Sequence, residues 1–358
     1  MKILVNSTAM DARGAFSVMD SFLKEMNHHY NDFRDNGIKM LFLAGNEKLC
    51  RHKNDLLEIE FNPFPKKSWF HKWKYERIIL PELFIKGNFD VYLSMQNYVL
   101  KNINKKQFVL MHQPIPFSDL KWKDLELLNW FKYNIIFKIL LKRQRQLVSG
   151  AIVQTAWMKQ ALIDKFEYNC PVKIIRPAVN NIMNNTKPLP GELLDLFKVN
   201  SIKLIYPTNL EKYKNNQRLI NAINGYNNST NKKIVLYLTI PGKSTEYVKY
   251  INKIQYESIM TLYTNMDAMI FPSLTETLGL PLLEAQYAEI PILAADLPYA
   301  REVCGNECIY FNPRSTLSII NALNVYVENT KVFKYKSNTI KGSYYDYIKF
   351  ISDTVITR

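Results

Sequence analysis

Short, nearly unbroken apolar runs recur along this chain, separated by longer stretches whose apolar residues return every three or four positions. Runs of the first kind suit strands buried on both faces, and stretches of the second kind suit amphipathic helices. Strand-like runs begin at Lys2 (KILVNS), Ile38 (IKMLFLAG), Phe89 (FDVYLSM), Gln107 (QFVLMHQ), Gly150 (GAIVQT) and Val172 (VKIIRPAV). A second series begins at Ile202 (IKLIYPTN), Lys233 (KIVLYLTI), Lys249 (KYINKI), Asp267 (DAMIFPS) and Ile290 (IPILAAD). Helical patterns fall between most of them, over 15–30, 129–147, 156–166, 217–226 and 281–288. Strand and helix alternating in this way predict α/β domains with parallel sheets and crossover helices.

The two series are separated by NNIMNNTKPLPGELLDLFKVNS, an Asn- and Pro-rich stretch that reads as a linker. The expected organisation is a Rossmann-like domain over 1–178, a linker over 179–200 and a second Rossmann-like domain over 201–335. Residues 336–358, ending in KGSYYDYIKFISDTVITR, predict a terminal helix that returns to the first domain. Neither series contains G-x-G-x-x-G, which argues against a dinucleotide oxidoreductase.

Composition narrows the picture. A length of 358 residues with 47% hydrophobic content is enough for two cored domains. The formal net charge of +15 favours an anionic partner: nucleic acid, an acidic membrane face or a phosphorylated ligand. A bias toward Lys and Asn would give the same charge with no target. No nucleic-acid-binding motif accompanies it, so no nucleic-acid partner is expected. The cysteines at 50, 170, 304 and 308 lack the companions of a zinc site, and a reducing cytosol suits them. The N-terminal MKILVNSTAMDARG reads as a strand and loop, not a secretory signal. No apolar run reaches the roughly 18 residues of a membrane span, so a cytoplasmic protein is expected.

The chemistry concentrates in FPSLTETLGLPLLEAQYAEIPILAADLP, from Phe271 to Pro298. Pro281 suits a first helical turn, where its missing N–H costs nothing. Glu276 then lies in the loop at a strand's carboxyl end, and Glu284 about one turn inside the helix. Free amides around Leu278, Gly279, Leu280 and Leu282, with the positive end of the helix dipole, would attract phosphate. Gly279 would let the backbone approach a ligand closely. A carboxylate on either side would accept from sugar hydroxyls, so the combination suggests a nucleotide-sugar site. On their own, two glutamates at this spacing are more often a loop acid and a surface helix acid.

The string PSLTETLGLPLLEAQYAEIPILAAD resembles the signature of the retaining family-4 glycosyltransferases, which have the GT-B fold. Pro272, Ser273, Glu276, Gly279, Leu280, Pro281, Glu284, Ala285 and Pro291 carry the resemblance, while Glu289 and Ile292 depart from it. It implies two Rossmann-like domains facing each other across a cleft. It also implies Glu284 on the donor ribose, Glu276 on the donor sugar, and the amides of Thr277, Leu278, Gly279 and Leu280 near the sugar and diphosphate. IYPTNLEKYKNNQRLINAI resembles the start of the family's second domain, with Lys214-Asn215 at the pair that opens the helix. Lys214 or Lys212 would supply charge to the diphosphate, and Asn209 stands close to the place of the family's Arg. In the first domain MDARGAFSV stands where the family has a Gly-Gly loop; Gly14 remains, and Arg13 adds a cation. His112, in VLMHQPIPF, matches a His the family commonly has near the sugar. Arg176-Pro177 resembles the hinge-side strand end and is kept as structural.

The resemblance implies a hexosyl- or N-acetylhexosaminyltransferase using a UDP- or GDP-linked sugar and no other cofactor. No Asp-x-Asp occurs, so no metal is expected. The implied acceptor is a glycan, in particular a lipid-linked oligosaccharide of bacterial O-antigen, capsule or other surface polysaccharide. The basic and aromatic segments 66–77 and 129–148 suit an anionic membrane surface, hence a peripheral place on the inner face of the plasma membrane. For 129–148 a helix lying on the sheet with a basic outer face fits the pattern equally. An inactive GT-B-like scaffold, or a basic protein that binds nucleic acid or membrane, is the alternative.

Overall fold

A computed structural model describes residues 1–10, 14–177, 186–329 and 342–356. The described residues fall into two units. The first lies within Met1–Phe117, Tyr133–Ala178 and Lys341–Arg358, the second within Ser118–Lys132 and Val179–Ile340.

In the first unit seven strands form one parallel sheet: β1 (Lys2–Ser7), β2 (Lys39–Ala44), β3 (Leu57–Phe61), β4 (Val91–Ser94), β5 (Lys106–Leu110), β6 (Gly150–Val153) and β7 (Val172–Ile174). Their order is β3-β2-β1-β4-β5-β6-β7. Side chains alternate between the faces, as a two-residue period requires. Ile3 and Val5 join Phe22, Phe42 and Leu93 in one core cluster, while Leu4 joins Leu41, Leu43, Tyr92 and Phe84 in another. The apolar runs anticipate these strands except β3, whose LEIEF buries only Leu57 and Ile59 and lies at the sheet's edge.

The helix Tyr345–Ile356 returns to the first unit. Tyr347, Ile348 and Ile351 are buried in the cluster that holds Phe22, and Phe350 meets Phe108 edge-on with centroids 5.7 Å apart. Gly150 makes this approach possible, since a Cβ there would stand 2.7 Å from the Phe108 ring and 3.0 Å from Phe350. Glu25, from the helix Gly14–His28, fastens the returning helix at its start. Its carboxylate accepts from the Ser343 hydroxyl, from Tyr344 N at 2.9 Å and from Tyr345 N at 3.2 Å. The carboxylate thus takes up amides that a helix leaves unpaired at its N-terminus.

The predicted helix over 129–147 is one continuous helical stretch with a π-helical section, Lys132–Phe137, between Leu127–Phe131 and Lys138–Gln144. It buries Leu141 and Gln144 and leaves Ile135, Ile136, Ile139 and Leu140 exposed beside Lys142 and Arg143. Its outer surface is therefore apolar as well as basic. Among the described residues no helix is long and apolar enough to cross a membrane.

The second unit has six parallel strands: β8 (Ile202–Tyr206), β9 (Ile234–Leu238), β10 (Val248–Tyr250), β11 (Ala268–Phe271), β12 (Ile292–Ala295) and β13 (Ile309–Phe311), in the order β10-β9-β8-β11-β12-β13. Ser118–Lys132 clusters with this unit, although it lies inside the stretch 1–178 assigned to the first domain from sequence. A bidentate ion pair ties this segment to the unit. Arg314 donates from Nη1 and Nη2 to the buried Asp124 carboxylate at 2.9 and 2.7 Å. Lys212 adds a pair to Glu126 at 2.9 Å.

Glu25→Ala is expected to destabilise the first unit by about 1–3 kcal/mol, since it orphans helix-start donors. Chemical denaturation checks this, and proteolysis should cut the terminal helix sooner in the variant than in the wild type.

Candidate active site

In each sheet the strand order reverses between two central neighbours: β1 and β4 in the first unit, β8 and β11 in the second. Loops leaving the carboxyl ends of such a pair diverge and open a crevice, the usual ligand position in parallel sheets. In the second unit these are 207–215 after β8 and 272–279 after β11.

The first loop is pinned near its end. The Tyr206 hydroxyl donates to Lys214 O at 2.8 Å, and Leu274 N donates to Tyr213 O at 2.8 Å. Asn215 has φ +64°, a left-handed conformation that Asn tolerates better than most residues, and it starts the helix Asn216–Ser229. Its Nδ2 donates to Pro272 O at 3.2 Å and Pro313 O at 2.7 Å, and its Oδ1 accepts from Arg218 Nη1. So held, Lys214 reaches the second loop and forms an ion pair with Glu276. Their side chains are only 12% and 16% exposed, so solvent screens the pair weakly.

The second loop is equally ordered. The Tyr299 hydroxyl donates to Ser273 O at 2.7 Å, and Ser273 Oγ donates to Thr275 O at 3.1 Å. Gly279 sits at φ +77° and caps the helix Leu280–Tyr287. A Cβ there would be both strained and 3.2 Å from Leu282. Pro281 is in the first turn, as its ring requires. Among the described residues the amides of Leu278, Gly279 and Leu280 donate to no protein group. Leu282, counted with them from sequence, is corrected: its N–H donates to Gly279 O at 2.9 Å, closing the first turn. Thr277 lies between Glu276 and these amides, half-buried.

Glu284 is not a surface acid. It is 7% exposed, and its Oε2 accepts from the Tyr263 hydroxyl at 2.6 Å. Burial pushes its carboxyl from the ordinary 4.5 up to about 7, with the Tyr263 hydrogen bond pulling the other way. Sequence reasoning missed Tyr263, which reads as one more core aromatic in TLYTNMDAMIF.

The remaining candidates scatter. Lys212 is half-exposed and paired with Glu126, so Lys214 alone is joined to Glu276. Asn209 shapes its own loop, its Oδ1 accepting from Glu211 N at 2.9 Å and its carbonyl from Asn216 at 2.7 Å. His112 belongs to the first unit, where Asn97 Oδ1 accepts from His112 N at 2.7 Å. Burial lowers its imidazole from 6.5 to about 4, so the ring is neutral near pH 7. Gly14 opens the helix Gly14–His28, and Arg13 lies outside the described residues. Arg176 lies in the loop after β7, within the first unit. Beside His112, sequence reasoning also overlooked a buried polar group at the β1–β4 mouth. There Asn6 donates to the Tyr92 hydroxyl at 3.0 Å, and Thr8 Oγ1 donates to Asn6 Oδ1 at 2.9 Å, with Gln96 alongside.

Residues 195–341 match the family described as Glycosyl transferases group 1. The O-antigen chain mannosyltransferase RfbU of Salmonella typhimurium is 30% identical over 66 residues, covering 18% of this chain and 19% of that protein. This chain thus matches less than a fifth of that relative's length. Sucrose-phosphate synthase from Thermosynechococcus elongatus superposes with a TM-score of 0.69 at 12% identity, covering 99% of this chain and 98% of that one. Anabaena Alr3699/HepE, solved in complex with UDP and glucose, gives 0.66 at 14% identity over all of both chains. At such identities the likeness is one of fold, and that fold is GT-B.

The Glu284 geometry sets a stability signature. Its folded pKa lies above its unfolded one, so the folded state holds the proton longer. The favourable contribution of the neutral acid is present below about 4.5 and is lost as pH rises to about 7. Glu284→Gln, which keeps an acceptor for Tyr263 without charge, should raise unfolding free energy at pH 8 by on the order of 3 kcal/mol. The gain should vanish near pH 4.5, and denaturant titrations at the two pH values check it.

Proposed function

We propose that this chain, a GT-B protein whose second unit carries the glycosyl transferases group 1 domain, moves a sugar from a nucleotide diphosphate to a hydroxyl of a glycan acceptor. The observation that carries this reading is the pairing of Lys214 with Glu276 across the β8–β11 crevice, beside the Gly279-capped helix start. It brings a cation, a carboxylate and unpaired amides to the mouth where parallel sheets bind ligands. In this assignment the diphosphate lies on the amides of 278–280 and Lys214, the sugar against Glu276, and the ribose against Glu284.

The transfer is assigned as retaining and metal-independent. The bond from the anomeric carbon to the β-phosphate oxygen breaks, positive charge grows on the ring, and the acceptor oxygen bonds to that carbon from the same face. The acceptor proton passes to a departing phosphate oxygen. Lys214 stabilises the leaving diphosphate, and the protein acts through positioning and electrostatics. Neutral His112 is a hydrogen-bonding partner for a sugar hydroxyl rather than a charge. RfbU is named as a mannosyltransferase and HepE was solved with UDP and glucose, so nucleotide-linked mannose and glucose head the donor screen.

A lipid-linked oligosaccharide of surface-polysaccharide assembly is the acceptor we assign, approached at the membrane face. Two surfaces of the first unit support this. Trp69, Phe70 and Trp73 are exposed among Lys66, Lys67, Lys72, Lys74 and Arg77, and Ile135, Ile136, Ile139 and Leu140 are exposed beside Lys142 and Arg143. Aromatic and aliphatic side chains interleaved with cations suit an anionic interface.

Glu276→Gln should lower kcat/KM with the accepted donor by about 100-fold or more while circular dichroism stays unchanged. A fully active variant would remove Glu276 from its role, and the anomer of the product, read by NMR, tests retention. The purified protein should sediment with anionic liposomes at low salt and leave them as salt rises; indifference to such liposomes would end the membrane assignment.

A further inference from the structure

Two carboxylates flank the start of the helix Leu280–Tyr287, and they are held in opposite ways. Glu276 is neutralised by Lys214. Glu284 has no cation partner among the described residues; Tyr263 alone donates to its carboxylate, at Oε2. Oε1 accepts nothing there, so half of the carboxylate's acceptor capacity is left over. Tyr263 comes from the helix Ile259–Thr264, which precedes β11 and is separate from both loops of the crevice. It is fully buried, and its carbonyl accepts from Met266 N at 3.0 Å in the turn that leads into β11. Its ring is packed in the core rather than carried on either loop. Its hydroxyl is a fixed donor aimed at one oxygen.

We propose that Tyr263 is a positioning residue for the donor nucleotide, fixing the Glu284 carboxylate so that Oε1 is presented to the ribose hydroxyls. This rests on Glu284 taking the ribose, as proposed above. A neutral donor suits the task better than a cation would. A Lys or Arg at Oε2 would draw the negative charge into an ion pair, whereas a phenol orients the carboxylate and leaves its charge to strengthen the bonds from ribose. The hydroxyl also favours the ionised form of this buried acid, whose pKa burial raises to about 7 with that bond in place. The titratable groups that act on Glu284 are Tyr263 and Tyr256, and burial raises both. Neither loses its proton between pH 6 and 9, so the carboxyl itself sets the pH response in that range.

The test uses the full chain and calorimetric binding of UDP and GDP, each beside its 2′,3′-dideoxy form, from pH 6 to 9. For the nucleotide that binds, the wild type should prefer the ribose form, increasingly so as pH rises through about 7. Tyr263→Phe should weaken the ribose form roughly ten-fold, leave the dideoxy form unchanged and move the pH midpoint upward. On a Glu284→Gln background the same Tyr263→Phe change should cost little more, because the two act as a unit. If Tyr263→Phe keeps wild-type preference and midpoint, the role of Tyr263 is overturned while the ribose assignment stands. If the wild type binds neither nucleotide, or binds ribose and dideoxy forms alike, the ribose assignment fails and takes this inference with it. The double-variant comparison stands even if Tyr263→Phe lowers the melting temperature, because each pair is compared in the folded state.

Discussion

The ion pair between Lys214 and Glu276 joins two loops that leave neighbouring strands in opposite directions, and the geometry of the second unit's crevice depends on it. Parallel strands force their connections to part where the order reverses. The parted loops would be free to wander without a tie. Tyr206, Asn215 and Tyr299 fix the backbones, and the ion pair then fixes the side chains. A mostly buried pair of this kind loses more when one partner is removed than it gains when both are present. It therefore serves better as a device for geometry than as a source of stability.

Much of this was legible in the sequence because the local rules left few choices. Pro281 fixed the start of a helix, Gly279 fixed a backbone turn, and Glu276 and Glu284 then had to lie in a loop and within a helix. The apolar runs gave nearly every central strand, since a strand buried on both faces has no polar side to confuse the pattern. What escaped was long-range or small. β3 alternates, and β13 has only three residues. Ser118–Lys132 joins the second unit through Asp124 and Arg314, which are 190 positions apart and carry no local signature. Tyr263 escaped for a different reason. A tyrosine in an apolar helix announces a core ring, and only the fold shows where its hydroxyl ends.

The two sheets share a strand order but use their reversal points differently. At β8–β11 the mouth is charged: Lys214, Glu276 and, one turn inward, Glu284. At β1–β4 the described residues include a polar group of Asn6, Thr8, Tyr92 and Gln96, and His112, neutral near pH 7, is held by Asn97. A mouth of fixed neutral donors and acceptors suits a polyol, and a mouth of charges and free amides suits a diphosphate. The proposed assignment of the donor to the second unit rests on its charged mouth.

The two glutamates also divide a general problem of buried acids between them. Glu276 is ion-paired with Lys214, so a sugar that approaches would share that carboxylate with a cation. Glu284 has no cation partner among the described residues, and burial leaves its charge costly with the Tyr263 hydroxyl donating to it. A ligand with a vicinal diol would relieve the second cost, while its diphosphate competes with Glu276 for Lys214. In the proposed assignment, binding and loosening of the ion pair would be coupled through one ligand. In the proposed assignment a diol answers Glu284, the sugar hydroxyls answer Glu276 and the diphosphate takes Lys214, a combination that a nucleotide-diphosphate sugar supplies.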